Sequence, residues 1–130
     1  MNSVPERQSR FTILVVDDDW LNRELFEGML QAGGFEVILA NSGPRALEQL
    51  KTHQPDAAIV DIRMPDMDGF ALCRALRDQR HTRDLPVLLV TALEIDAPLR
   101  AQAAAAGAQG VIKRKTTVDA LEAEIRQLLR

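Results

Sequence analysis

The sequence predicts an α/β domain: a doubly wound parallel sheet with helices on both faces. Three observations carry that prediction. Five short runs rich in Val, Ile or Leu follow one another, a helical stretch comes after each, and two of the runs are apolar without a break. Unbroken apolar runs are expected of strands buried on both sides, and right-handed crossovers then join them.

The first run, Phe11–Val16, contains Ile13-Leu14-Val15-Val16. The stretch after it sets Leu21, Leu25, Phe26, Met29 and Leu30 on one helical stripe, and Gly33-Gly34 ends it. Phe35–Ala40 is the second run, followed by Pro44, which suits a first helical turn because its missing N–H would have had no helical partner there. Ala57–Asp61 is the third run, and Gly69 marks the join to the next helix. Val87–Thr91 is the fourth; Pro98 then opens a stretch that runs into Ala101–Ala108, good helix formers. Gly110–Lys113 is the fifth, and Val118, Leu121, Ile125, Leu128 and Leu129 line up after it as the strongest apolar stripe in the chain.

At 130 residues the chain fits one domain, large enough to fold without disulfides or a structural metal. A lone cysteine, Cys73, excludes an internal disulfide and a multi-thiolate zinc site and suits a cytoplasmic setting. A net charge of −3 argues against direct nucleic-acid binding, and no apolar run approaches the length of a membrane span. Met1–Arg10 reads as a polar tail, leaving 11–130 as the domain.

In such sheets ligands bind beyond the carboxyl ends of the strands, where the strand order reverses. Those ends here carry Asp17-Asp18-Asp19, Asp61, Thr91-Ala92 and Lys113-Arg114-Lys115. If the first and third strands are neighbours, about 4.8 Å apart, the carboxylates of Asp17, Asp18 and Asp61 share one small space. Two such charges about 5 Å apart repel by roughly 3 kcal/mol at an effective dielectric of 20, so a cation must compensate them. Clustered carboxylates without His or Cys suit Mg²⁺, which keeps waters and accepts phosphate oxygens. A carboxylate beside such a metal is a nucleophile at phosphorus, with Thr91 and either Lys113 or Arg114 to bond and neutralise the phosphoryl group. The chemistry that fits is phosphoryl transfer.

Val15-Val16-Asp17-Asp18-Asp19, then Asp61-Ile62-Arg63-Met64-Pro65-Asp66-Met67-Asp68-Gly69-Phe70, then Val90-Thr91-Ala92 resemble the receiver domain of two-component response regulators, over about Phe11 to Arg130. The resemblance implies a flavodoxin-like sheet in the order 2-1-3-4-5, with Asp61 as phosphoacceptor. It implies Mg²⁺ held by Asp18, the Asp61 carboxylate and the Arg63 carbonyl, Asp17 acting through a metal-bound water, and Thr91 as switch hydroxyl. Met64-Pro65 would shape the turn after the acceptor, and Gly69 would take the backbone where Asp66 and Asp68 start the third helix. The implied donor is a sensor histidine kinase or a histidine phosphotransfer protein; the implied output is a downstream protein target or a homodimer through the fourth helix, fifth strand and fifth helix. Two departures stand out. Val111 occupies the place where the family often has a Tyr or Phe, and the usual Lys-Pro pair becomes Arg114-Lys115, with Lys113 one residue early. The ungapped count favours Arg114 as the cation.

The remaining polar residues have plainer readings. Asp19 is expected to cap the first helix, and Asp66 and Asp68 to serve the turn and cap before the third. Arg74, Arg77, Arg80, His81 and Arg83 read as a solvated face, because Asp78 and Asp84 interrupt them; His53 and His81 read as surface residues. Leu93 and Ile95 either face a partner or pack on the core. The leading function is a phosphorylation-controlled binding module that catalyses only its own phosphorylation and dephosphorylation. The chain stops at Arg130, directly after the fifth helix, which predicts a stand-alone receiver or a fragment of a longer protein. One rival is a receiver-fold module that binds constitutively. Another is a phosphatase of the haloacid-dehalogenase type using Asp17-x-Asp19, which leaves Asp61–Gly69 unexplained. A flavin or dinucleotide module lacks a glycine-rich turn after the first strand.

Overall fold

A computed structural model describes residues 10–130. The polar tail read at Met1–Arg10 lies outside the described residues except for Arg10, whose guanidinium is 3.9 Å from Glu36.

Five strands and five helices alternate strictly: β1 Thr12–Val16, α1 Trp20–Ala32, β2 Glu36–Ala40, α2 Gly43–Gln49, β3 Ala57–Asp61, α3 Gly69–Arg77, β4 Val87–Thr91, α4 Ala97–Ala106, β5 Gly110–Lys113 and α5 Val118–Leu128. All pairings are parallel, in the order β2-β1-β3-β4-β5, as the resemblance implied. The sequence reading started the first two strands one residue early. Phe11 lends only its carbonyl, to the Glu36 N–H, while the Phe35 N–H returns to the Leu30 carbonyl and closes α1.

Alternation along each strand splits the core in two. Ile13, Val15, Ile59, Leu88, Val90 and Ile112 meet Phe26 and Leu30 of α1 and Leu121 and Ile125 of α5. On the other face Leu14, Val16, Val60, Leu89 and Val111 meet Ala46 of α2, Leu72, Cys73 and Leu76 of α3, and Ala103 and Ala106 of α4. Every residue of β3 and β4 is buried, which is why those runs carry no polar alternation. The predicted stripe on α1 is broader than its contact: Phe26 and Leu30 are buried, whereas Leu21 and Leu25 are more than half exposed. Ile95 packs on the core and Leu93 is exposed, dividing the pair left open above.

Helix ends follow the local chemistry. Asp19, Ser42, Asp68, Asp96 and Thr117 each accept an N–H from the first turn of their helix. Gly107 ends α4 at φ 97°, a backbone state that residues with a Cβ rarely adopt. Burial pushes the Cys73 thiol up, so it behaves as a small apolar side chain.

Arg77 corrects the reading of a solvated basic face. Its guanidinium donates twice to the Gly107 carbonyl, at 3.0 and 2.8 Å, and to the carbonyls of Thr82 and Arg83 at 3.2 and 3.0 Å. It also reaches Gln109 Oε1, which takes the Val87 N–H at 2.7 Å. The side chain therefore fastens the end of α3 to the α4–β5 turn and to the start of β4. Removing it strands partly buried carbonyls, so Arg77→Ala is expected to destabilise the fold by about 2 kcal/mol, read as a lower urea midpoint. Arg80→Ala, at an exposed position, is expected to stay within about 0.5 kcal/mol of the parent.

Candidate functional site

β1 and β3 are neighbours, and both end at the same edge of the sheet. Asp17 continues the ladder one step past β1, its N–H on the Ala40 carbonyl at 3.1 Å. Its Oδ1 accepts the Asp19 N–H at 2.9 Å and its carbonyl accepts Arg23 Nη1 at 2.8 Å, so both ends of the residue are held. Asp19 turns away to cap α1, leaving Asp18 exposed between them. Asp61 is the last residue of β3, paired with Val90 and 3% exposed.

The chain after Asp61 must double back closely. The Gly69 N–H donates to the Ile62 carbonyl at 2.9 Å, and a Cβ on Gly69 would stand 2.6 Å from the Asp61 carbonyl oxygen. Gly69 is required for that approach. The positive φ in this loop, 71°, falls at Asp66, a residue type that tolerates it. Asp68 caps α3 through the Ala71 N–H at 2.8 Å.

Ligand oxygens of Asp17, Asp18 and Asp61 all lie within 4.8 Å of one another. Asp17 and Asp61 are buried, so neither can rely on water to spread its charge. The Asp61 carboxyl is pushed up to about 6, chiefly by burial and then by the Asp17 charge, with Arg114 pulling the other way. Asp17 is raised as well, again by burial first, against the pull of the Asp19 N–H and Arg114. Arg114 Nη2 donates to Asp61 Oδ1 at 2.7 Å and is the cation at the cluster. Lys113 is elsewhere: its ammonium meets Glu94 Oε2 at 2.8 Å, with both groups largely exposed. The Thr91 hydroxyl is buried at the end of β4 and accepts the Leu93 N–H at 3.0 Å. Arg63, two residues past Asp61, is exposed, and its carbonyl accepts no hydrogen bond from the described residues.

Three carboxylates against one guanidinium leave a local excess of two negative charges. The donors are oxygen throughout, which fits a hard divalent cation such as Mg²⁺. This is the one such group of possible ligands among the described residues. His53 and His81 line a shallow cleft of about 420 Å³ formed by the loops before β3 and β4, at the opposite end of the sheet. Sequence reasoning missed Arg23 and Glu94; the one signal for Arg23 was its place four residues after Asp19, one turn into α1.

A five-stranded sheet in this order, with buried carboxylates meeting at the carboxyl ends of its central strands, has the architecture of a receiver of the two-component type. The comparisons agree. Residues 13–126 match the response regulator receiver domain family, and the chain belongs to it. It is 41% identical over 118 residues to the response regulator PleD of Caulobacter vibrioides, covering 91% of this chain and 26% of that protein. The chain spans between about a quarter and half of the length of the curated response regulators it matches. Among solved structures, chemotaxis protein CheY4 of Vibrio cholerae superposes with a TM-score of 0.87 at 29% identity, covering 93% of this chain and all of that one (100%). The receiver domain of the sensor histidine kinase PA1611 from Pseudomonas aeruginosa PAO1 superposes at 0.83 with 26% identity, covering 93% and 98%. That structure holds a magnesium ion coordinated in its active-site cleft. The fold is therefore the flavodoxin-like one, and the domain is a signalling domain of two-component systems.

The raised Asp61 value fixes a pH dependence for the metal-free protein. Its folded value, about 6, lies above the ordinary 3.8, so the folded state holds a proton in that window that the unfolded chain releases. This contribution is complete below about 3.8 and is lost as the pH rises through 6. Going from pH 7 to pH 5 without divalent ions should therefore stabilise the wild type by about 1 kcal/mol through this group. Asp61→Asn should lose that increment and be more stable than the wild type at pH 7. Urea melts in a chelator at the two pH values read both effects.

Proposed function

We propose that this receiver domain takes a phosphoryl group from a phosphohistidine onto Asp61 in a Mg²⁺-dependent reaction, and that this switches a protein-binding surface. One observation carries the reading: a buried strand-end carboxylate lies within 4.8 Å of two others and is capped by a guanidinium. Ordinary packing has no use for such a cluster. In the transfer an Asp61 oxygen attacks phosphorus while the P–N bond to the donor imidazole breaks, and the electron pair returns to the imidazole nitrogen. Asp18, the Asp61 carboxylate and the Arg63 carbonyl are the groups that would hold Mg²⁺, with Asp17 beside them. The ion would neutralise charge on the phosphoryl oxygens during transfer.

Arg114 supplies the remaining counter-charge at Asp61. Thr91 supplies the coupling: its hydroxyl now serves the Leu93 N–H, and turning toward a phosphoryl oxygen would release that bond and free the loop before α4. Two states of that loop are what a partner would distinguish, on a face formed by α4, β5 and α5. The site also catalyses loss of its own phosphoryl group to water and acts on no separate substrate. The donor is a sensor histidine kinase or histidine phosphotransfer protein, and the receiver of the signal is a downstream protein or a second copy bound through that face. The domain spans 11–130 and acts in the cytoplasm.

Incubation with acetyl phosphate and Mg²⁺, followed by intact mass measurement, tests the reaction. The wild type is expected to gain one phosphoryl group, lose the gain in chelator, and show none in Asp61→Asn. An unmodified wild type that also ignores beryllofluoride would point instead to a receiver that binds its partner constitutively.

A further inference from the structure

Among the described residues, two buried side-chain polar atoms have no hydrogen-bond partner, and one of them is Arg114 Nε. In a planar guanidinium the Nε–H and the Nη2 amino group lie along one edge. That edge is the fork that takes two oxygens of a carboxylate or phosphate side by side. Here one prong, Nη2, holds Asp61 Oδ1 at 2.7 Å. The other prong, on the same edge, holds nothing.

The fork cannot simply drift away from Asp61. The Arg114 N–H donates to the Thr91 carbonyl at 2.8 Å, so the main chain is pinned to the end of β4 and only side-chain torsions can re-aim the guanidinium. Lys113, next along the chain, is committed to Glu94. A cavity of about 350 Å³ lined by Thr91, Ala92, Lys113, Arg114 and Lys115 adjoins the Arg114 side chain; Asp61 is not among its lining residues. A charged donor buried without an acceptor is costly, and an added oxygen within its reach would relieve that cost.

We propose that Arg114 is a two-pronged phosphoryl clamp: it gives one N–H to the bare Asp61 carboxylate and two to the group once phosphorylated. It rests on the reading of Asp61 as phosphoacceptor. A phosphoryl group offers three oxygens and nearly two negative charges, whereas Arg114 holds the bare carboxylate through Oδ1 alone, so the fork binds the two states unequally. Arg114 thus selects the phosphorylated state by direct contact and geometry, which a lysine of equal charge does not reproduce.

Beryllofluoride titration in saturating Mg²⁺ tests this on the full chain, read by ¹⁹F NMR, with Mg²⁺ titrated separately and read by the fluorescence of Trp20, the sole tryptophan. Arg114→Lys keeps the charge and removes the fork. It is expected to weaken beryllofluoride binding about tenfold, the worth of one charge-assisted hydrogen bond, and to weaken Mg²⁺ binding by less than about twofold. Equal beryllofluoride affinity in Arg114→Lys and wild type overturns the clamp, as does a parallel loss of Mg²⁺. Loss in Lys113→Ala with none in Arg114→Lys assigns the cation to Lys113 and overturns it too. A wild type that binds Mg²⁺ but no beryllofluoride overturns the phosphoacceptor reading, and the clamp with it.

Discussion

Asp17, Asp18 and Asp61 are forced together by the sheet itself, and most of what is unusual in this domain answers their mutual repulsion. Adjacent parallel strands stand less than 5 Å apart, so carboxylates at the ends of β1 and β3 have no means of separating. Burial of Asp17 and Asp61 removes the water that would screen them, which is why both carboxyls are raised. The surroundings supply what the fold allows: the Asp19 N–H on Asp17, Arg23 on the Asp17 carbonyl, and Arg114 on Asp61. These contacts reduce the strain without cancelling the charge. The site is left in deficit of a cation, and that deficit is its chemical capacity.

The rest of the molecule keeps this arrangement rigid. β1, β3 and β4 lie inside the sheet, apolar on both sides, so the strand ends that carry Asp17, Asp61 and Thr91 have little freedom to move apart. Glycine at 69 lets the loop after Asp61 fold back within contact of its carbonyl, and Arg77 ties α3 to the α4–β5 turn on the far side. The segments between β4 and α4 and after β5 border the site from the other side. The main chain there is tied by the Arg114 N–H on the Thr91 carbonyl, and the loop before α4 also by the Thr91 hydroxyl on the Leu93 N–H and by the exposed Lys113–Glu94 ion pair, of the kind worth less than about 1 kcal/mol.

Much of this was legible in the sequence because it follows from period and position. Unbroken apolar runs marked the inner strands, and strand ends marked the site. Acidic residues at two neighbouring ends then required a shared charge problem. Between Lys113 and Arg114 the ungapped count favoured Arg114, on a narrow basis, because the choice turns on where β5 stops, and one residue moves a side chain from one face to the other. β5 ends at Lys113, and Arg114, already out of the strand, reaches Asp61. Arg77 was misread for a different reason. Its partners are backbone carbonyls up to 30 residues away, which leave no periodic trace. Leu21 and Leu25 were read on the same stripe because it continues through them, yet the helix buries Phe26 and Leu30, packs Met29 at the edge of the core, and leaves Leu21 and Leu25 exposed.

The most direct test of the charge deficit is thermal unfolding near pH 7.5 with and without Mg²⁺, in the wild type and in Asp18→Asn, a change at an exposed carboxylate outside the core. At a concentration about 100 times its dissociation constant, a cation bound to the folded state alone adds about 2.7 kcal/mol. The wild type should then melt several degrees higher with Mg²⁺, and Asp18→Asn should lose most of that rise. Equal melting of the wild type with and without saturating Mg²⁺ would contradict the account.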